Sequence, residues 1–394
     1  MRPRRGAPLA VVVALAIGVA ALAGCSDDPD ADASLNVYLS APLSGPRAED
    51  GRDVADGAEL ALADAGGEAG GVEVVLTSLD DATDDGWGAA AAADARTASE
   101  DTTAIAYIGE LDSGASRTSI PITNQAGILQ VSPGASAVDL TRDAPGSDGV
   151  PDVQASGDRT FGRVIPSDRD QGEAAAVWMA ADGIAATEVL GGETPFGESL
   201  LDGFESAPGA PEIVSGAEEP DAAYDVQDDP FEDREPGFTP RTRGPLYGSD
   251  ALLEPGDRER VATLAGSCRR PSTCPRGGSR DVLLTSAAMD PSQLPPAAAD
   301  FLAAFEDEYG RSPGPYAAYG YEAMAVVLYA IDRADDPTDR GDVVDAFFAT
   351  TDRDSILGSY SIDDVGDTTL PQLGAYEIGP GGVPRPEPEA LTLP

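Results

Sequence analysis

Two short polar loops carry the residue types that could bind something. Ile108-Gly109-Glu110-Leu111-Asp112-Ser113-Gly114 follows one apolar run, and Val131-Ser132-Pro133-Gly134-Ala135-Ser136 ends another. A helix is predicted to begin near Gly114. Ser113 therefore sits by free backbone N–H groups and the positive end of a helix dipole, which favour an anion such as a carboxylate. The same serine could equally do no more than cap the helix. The second loop adds hydroxyls, and Gly134 lets backbone approach closely. Two such loops converging on one crevice point to a small polar ligand. Catalysis has little to draw on, because the chain has no histidine and no lysine. A Ser-His-Asp arrangement around Asp112-Ser113-Gly114 is thereby excluded, and so is a lysine base. No pair stands out among the 70 acids as a carboxylate couple. Asp81-Ala82-Thr83-Asp84-Asp85-Gly86 imitates the start of a calcium loop, but the twelfth position is Ala92 rather than a bidentate glutamate. No glycine-rich nucleotide loop is convincing. The expectation is a binding protein, not an enzyme, with neither cofactor nor metal.

The three cysteines divide by position. Arg2, Arg4 and Arg5 precede an uncharged apolar stretch from Leu9 to Ala23, closed by Leu22-Ala23-Gly24-Cys25. That stretch is short for a membrane span, which needs about 20 apolar residues. A basic start, a short apolar core and small residues before the cleavage point mark a signal peptide. The Leu-Ala-Gly-Cys ending resembles the bacterial lipobox, which implies lipidation of Cys25 and cleavage before it. Residues 1–24 are then the leader and 25–33 an acidic flexible tether. Cys268 and Cys274 remain. In an oxidising compartment a pair so spaced points to a disulfide more than to a metal site, since zinc wants four ligands and no histidine is available.

Charge narrows the partners. Seventy acids face 25 basic residues, a formal net charge of −45. Nucleic acid demands basic patches and is excluded. Anionic lipid is a poor docking surface for the same reason. The only membrane contact expected is the lipid at Cys25, on the extracytoplasmic face, with the remainder soluble and monomeric.

The elements that must position the loops alternate. Leu35–Ser40, Val72–Leu79, Ala104–Ile108 and Ile128–Ser132 read as strands, separated by helices at Val54–Ala65, Gly88–Ser99 and Ala115–Gln125. A second alternation follows: helix Gly172–Ala181, strand Thr187–Leu190, helix Phe196–Phe204 and strand Glu212–Val214. Strands separated by helices of this length imply βαβ units around parallel sheets, hence an α/β protein with two Rossmann-like lobes. From Gly216 to Pro245 periodicity is lost among Asp, Glu, Pro and Arg, an uncommonly long structureless connection. Order resumes with the strand Val282–Thr285, the helices Pro296–Tyr309, Ala317–Ala334 and Arg340–Thr350, and short strands from Ser355 to Ile378. Lobe one is expected over 34–164 plus 290–352, lobe two over 165–289 plus 353–380, and 381–394 as a disordered proline-rich tail. Ligands of open α/β sheets bind outside the carboxyl ends of the strands, where both polar loops lie.

In order, Pro42-Leu43-Ser44-Gly45, Gly57-Ala58, Ile108-Gly109 with Ser113, Ala126-Gly127-Ile128-Leu129, Ser132-Pro133-Gly134-Ala135-Ser136 and Asp139-Leu140-Thr141 closely resemble the branched-chain amino-acid (Leu/Ile/Val) type of periplasmic binding protein. Tyr319-Gly320-Tyr321-Glu322-Ala323-Met324 and Leu357-Gly358-Ser359-Tyr360 add to the likeness. The resemblance implies a type I fold, two lobes joined by a three-crossing hinge that closes on the ligand. It implies an ABC transporter substrate-binding lipoprotein that captures a small zwitterion, an amino acid, and delivers it to permease subunits. By that likeness Ser113 and Ser136 would take the ligand carboxylate. The Gly134 carbonyl, beside Ala135, would join the Ser136 hydroxyl and Asp250 on the ammonium, with Phe196 over the ligand. Asp50 departs from the pattern, standing where an aromatic is usual. The alternative is a surface lipoprotein that keeps the fold but senses a ligand or carries a degenerate pocket.

Overall fold

The computed structural model describes residues 34–394 other than 83–87, 145–153, 155, 217–218, 228–239, 241, 243, 254–260, 262–279 and 380–381. Cys25, Cys268 and Cys274, with the expected leader, tether and disulfide, lie outside the described residues.

The first sheet has the order β2-β3-β1-β4-β5-β6, built from β1 (Leu35–Ala41), β2 (Glu68–Ala69), β3 (Val72–Asp80), β4 (Ala104–Ile108), β5 (Leu129–Ser132) and β6 (Phe161–Arg163). All pairings but β2–β3 are parallel. Successive side chains of a strand face opposite ways. Val37 and Leu39 thus enter one core, with helices α1 (Ala48–Asp64), α6 (Ala299–Tyr309), α7 (Pro315–Arg333) and α8 (Arg340–Phe348). Tyr38 enters another, with α2 (Gly88–Glu100) and α3 (Ser113–Gln125). Strands β12 (Arg353–Ser355) and β13 (Gly358–Tyr360) form a separate antiparallel ribbon, and the second sheet, extended by β14 (Gln372–Ile378) and β15 (Pro384–Pro386), runs β15-β14-β11-β10-β9-β7-β8. Its parallel part is β7 (Ala186–Leu190), β8 (Glu212–Ile213), β9 (Ala222–Asp225), β10 (Leu246–Gly248) and β11 (Val282–Ser286). Helices α4 (Asp168–Ala181) and α5 (Pro195–Ser206) cover the face that carries Tyr224 and Tyr247. The chain passes between the two sheets three times, at 164–167, 287–290 and 369–371. Two of these crossings are tied down: Arg163 N donates to Gly366 O at 2.9 Å, and the Tyr319 hydroxyl accepts from Met289 N at 3.1 Å.

Helices α1 and α7 meet through glycines. A Cβ on Gly57 would stand 2.1 Å from Ala317 O, and one on Gly320 would stand 2.2 Å from Val54 O. Backbone on both sides leaves nothing flexible to give way. Gly57→Val should therefore destabilise the fold by about 1–3 kcal/mol through overpacking, read as a lower urea midpoint. An unchanged midpoint would show that the helices can slide apart at no cost.

Four expectations need correction. The stretch 216–245 is not structureless throughout: β9 lies in it, fully buried and paired in parallel with β7 and β10. Its short Ala-Ala-Tyr-Asp core is masked by the surrounding acids. Residues 353–370, expected in lobe two, remain with the first core, into which Leu357, Tyr360, Ile362 and Leu370 are packed. The tail is ordered where described, since β15 (Pro384–Pro386) and β16 (Leu391–Thr392) pair antiparallel with β14 (Gln372–Ile378). Prolines fit there because an edge strand can spare an N–H. Helix α4 begins four residues early, at Asp168, because Ser167 and Asp170 form a capping box.

Candidate functional site

The carboxyl ends of β4 and β5 deliver the two polar loops side by side. Asp112, not Ser113, is the N-cap of α3: its extended backbone and its carboxylate, which accepts from Gly114 N at 2.7 Å and Ala115 N at 3.1 Å, start the helix one residue earlier than a Ser113 cap would. That leaves the Ser113 hydroxyl to accept from Ala137 N at 3.1 Å, stapling one loop to the other. Ser132 braces the pair from behind. Its hydroxyl donates to Glu110 O at 2.7 Å and accepts from Ala135 N at 2.8 Å. Gly134 is required for loop-to-loop contact, since a Cβ there would stand 2.6 Å from Leu111 O. Under the second loop lies the Arg163 guanidinium, wholly buried, donating to Ala135 O at 3.1 Å and Ala137 O at 2.8 Å.

The facing wall comes from the second sheet. Asp168 opens α4 beside the Ser136 loop, its N–H donating to Ser136 O at 2.9 Å. One turn on, Gln171 Nε2 donates to Asp250 Oδ1 at 3.1 Å, while Ser286 Oγ donates to Asp250 Oδ2 at 3.2 Å. Phe196 follows the Thr194 cap and Pro195 at the start of α5, half-buried against the second core. Between the walls lies a cleft of ≈ 700 Å³.

Ser113, Gly134, Ser136, Phe196 and Asp250 all line this cleft. Ala135 does not: it is fully buried and its carbonyl is taken by Arg163, so its role is to hold the loop. Asp50 lines the cleft in an ion pair with Arg47 at 3.0 Å, and the aromatic on that side is Tyr316, whose ring lies 5.7 Å from the Arg47 guanidinium carbon. Arg117, also lining, is held in two-point contact by Asp139 at 2.6 and 3.0 Å. Sequence reasoning missed Asp168 and Tyr316. The Ser167–Asp170 capping pair could have placed Asp168 at a helix start, though not in the cleft.

The two acids of the far wall are held against their solution preference. Burial pushes the Asp168 carboxyl up to about 6, with the Asp250 charge adding to it and the Ser136 hydroxyl and the Arg163 and Arg117 charges opposing. Burial likewise raises Asp250, against the hydrogen bonds from Gln171, Ser286 and Ala287. Asp168 Oδ1 is buried without a hydrogen-bond partner among the described residues. One wall thus presents the Ser113 hydroxyl at a helix start with Ser136 in the neighbouring loop, and the other presents carboxylates. No group of three acids or cysteines among the described residues is arranged to hold a metal.

Two α/β lobes crossed three times by the chain, with a polar cleft between them, have the arrangement of the type I periplasmic binding protein fold. Residues 35–210 match the periplasmic binding protein family. The fold is similar to an ABC transporter substrate-binding protein from Desulfitobacterium hafniense in complex with Leu, at 18% identity and a TM-score of 0.65, over 90% of this chain and 100% of that one. It is similar to a leucine binding protein from Thermotoga maritima, at 21% identity and a TM-score of 0.61, over 90% of this chain and 97% of that one. A solute binding protein from R. palustris in complex with benzoate is similar at 18% identity and a TM-score of 0.60, over 91% and 97%. No curated protein sequence matches the chain. Among the described residues no helix is long and apolar enough to cross a membrane.

Proposed function

We propose that this protein is an extracytoplasmic solute-binding lipoprotein, tethered through Cys25, that captures a small zwitterionic ligand of the amino-acid type. Lobe closure then hands the ligand to an ABC importer. The observation that supports this most is the polarity of the cleft, which is lined by Ser113 at a helix start and Ser136 on one side and by Asp168 and Asp250 on the other. Such a site suits a molecule with an anionic and a cationic end a few bonds apart. Ser113 and Ser136 take the carboxylate, Asp250 and the Gly134 carbonyl take the ammonium, and Phe196 with Tyr316 packs the remainder. The benzoate-bound relative shows that such a fold also serves a ligand without an ammonium, so the acids of this cleft carry the case for a cationic end.

Calorimetry of the purified chain against amino acids and small amides tests the reading. Micromolar binding of at least one amino acid is expected, and no binding and no thermal shift for any would sink it. Ser136→Ala should weaken that binding by about 1 kcal/mol, one hydrogen bond to a charged group being lost. Unchanged affinity would remove Ser136 from the site. Cys25→Ser should release the protein from the membrane fraction, and retention there would overturn the lipid anchor.

A further inference from the structure

An acid-rich surface says little in a chain with this composition, but acids withdrawn from water need a reason. Four carboxylates of the cleft have no arginine in an ion pair with them among the described residues: Glu49, which is exposed, and Asp112, Asp168 and Asp250, which are withdrawn from water. The two arginines that line the same cleft each have an aspartate, Arg47 with Asp50 and Arg117 with Asp139. Buried charge is normally matched by opposite charge, and here Arg163 and Arg117, paired with Asp367 and Asp139, act on Asp168 without an ion-pair contact to it among the described residues. Asp168 is the clearest case, being 3% exposed with Oδ1 lacking any partner. At the other wall the first free N–H groups of α3, those of Gly114 and Ala115, are already held by the Asp112 carboxylate. The positive helix end is therefore partly neutralised before any ligand arrives. A neutral zwitterion brings as much negative charge as positive and would leave the excess acid uncompensated.

We infer that the cleft selects a ligand of net positive charge, an amino acid with a second cationic group, whose two cations are shared between Asp250 and Asp168, the latter with an Oδ1 that has no hydrogen-bond partner among the described residues. This rests on the solute-capture reading and sharpens it. The rings of Phe196, Tyr316 and Tyr376 line the same cleft and can pack the aliphatic stem or face of such a cation. Delivery of the second cation to Asp168 gives Oδ1 the donor it lacks.

Arginine and citrulline have nearly the same shape and differ by one charge, so they separate charge from fit. Titration calorimetry of the full chain at pH 7.5 with L-arginine, L-lysine, L-citrulline and L-leucine is the experiment. Arginine or lysine should bind at least about tenfold tighter than citrulline and leucine, because a group built to pair is left unpaired by the neutral analogue. Asp168→Asn, isosteric and uncharged, should cut that preference to about threefold or less while the thermal melt stays cooperative. Citrulline or leucine binding as tightly as arginine would overturn the charge inference and leave solute capture standing. Binding of none of the four, nor of any other amino acid, would overturn both.

Discussion

Arg163→Met should destabilise the protein by about 3–5 kcal/mol, since it removes one partner of a buried ion pair and leaves the other. The guanidinium is wholly buried, with Nε 2.8 Å from Asp367 Oδ1 and Nη2 2.9 Å from Thr141 Oγ1. Its remaining donors hold the Ala135 and Ala137 carbonyls. Methionine fills a similar volume but takes the guanidinium from all of these acceptors, and Asp367 would keep Arg142, through Nε at 2.9 Å, as its cationic partner beside the Thr141 hydroxyl. The sign with pH follows. Burial opposes the Asp367 charge, but Arg163, the Thr141 hydroxyl and Arg142 more than offset it and hold the carboxyl below its usual range. A lowered carboxyl contributes stability that is complete above its unfolded value, near 3.9, and is lost as pH falls through the folded value. The variant should therefore lose less on acidification than the parent does. Chemical denaturation at pH 7 and pH 3.5 checks both statements. A loss under about 1 kcal/mol at pH 7 would show that water replaces the guanidinium. Because Arg163 ends β6, joins the Ser136 loop and bonds Gly366 and Asp367 just ahead of the third crossing, ligand affinity should fall together with stability.

The framework was legible where local pattern and tertiary role agree. Ala104–Ile108 is apolar throughout and is buried on both faces between β1 and β5. Gly57 and Gly320 stood out as motif residues, and the structure gives the reason, close approach of backbones. What was not legible depends on contacts distant in sequence. Asp168 sits in Ser-Asp-Arg-Asp, which looks like a solvated helix start, and only the meeting of α4 with the Ser136 loop buries it. Asp112 and Ser113 can each cap a helix, and the choice is made by the extended backbone of Asp112. Tyr316 enters the cleft only because α7 returns from the far end of the chain to lie along α1. The tail looked disordered because Pro384 and Pro386 break regular pairing inside a sheet, yet at the edge they cost nothing. The cleft residues recognised in advance were those in loops with a distinctive local sequence; those missed belong to elements that reach the cleft by topology.

Asp250→Asn should move two measurements in opposite directions. Ligand affinity should fall by about 1.5–3 kcal/mol, roughly 10- to 150-fold, because a charge-assisted contact to the ligand cation is lost. Stability of the empty protein at pH 7 should instead rise. Burial raises both the Asp250 and the Asp168 carboxyls, and the Asp250 charge adds to the rise at Asp168. A raised carboxyl contributes stability that is fully present below its unfolded value and is lost as pH rises through the folded value. For Asp168, whose folded value is about 6 against 3.8, the charged form costs the empty fold on the order of 2–3 kcal/mol at pH 7. Removing the neighbouring charge at Asp250 relieves part of that cost, and it brings the Asp168 carboxyl down toward its ordinary range. The Asn side chain keeps an oxygen for Gln171 Nε2 and the Ser286 hydroxyl can turn to accept, so the contact given up is the long one, 3.4 Å, from Ala287 N. Affinity of the parent should also weaken as pH falls below about 6, where Asp168 takes up a proton and ceases to attract a cation, and the variant should show the same loss at lower pH. Titrations at pH 7.5, 6 and 5 with melts of the empty protein at each pH measure all of this. Lower stability in Asp250→Asn would make Asp250 a structural acceptor, and unchanged affinity would remove it from the ligand.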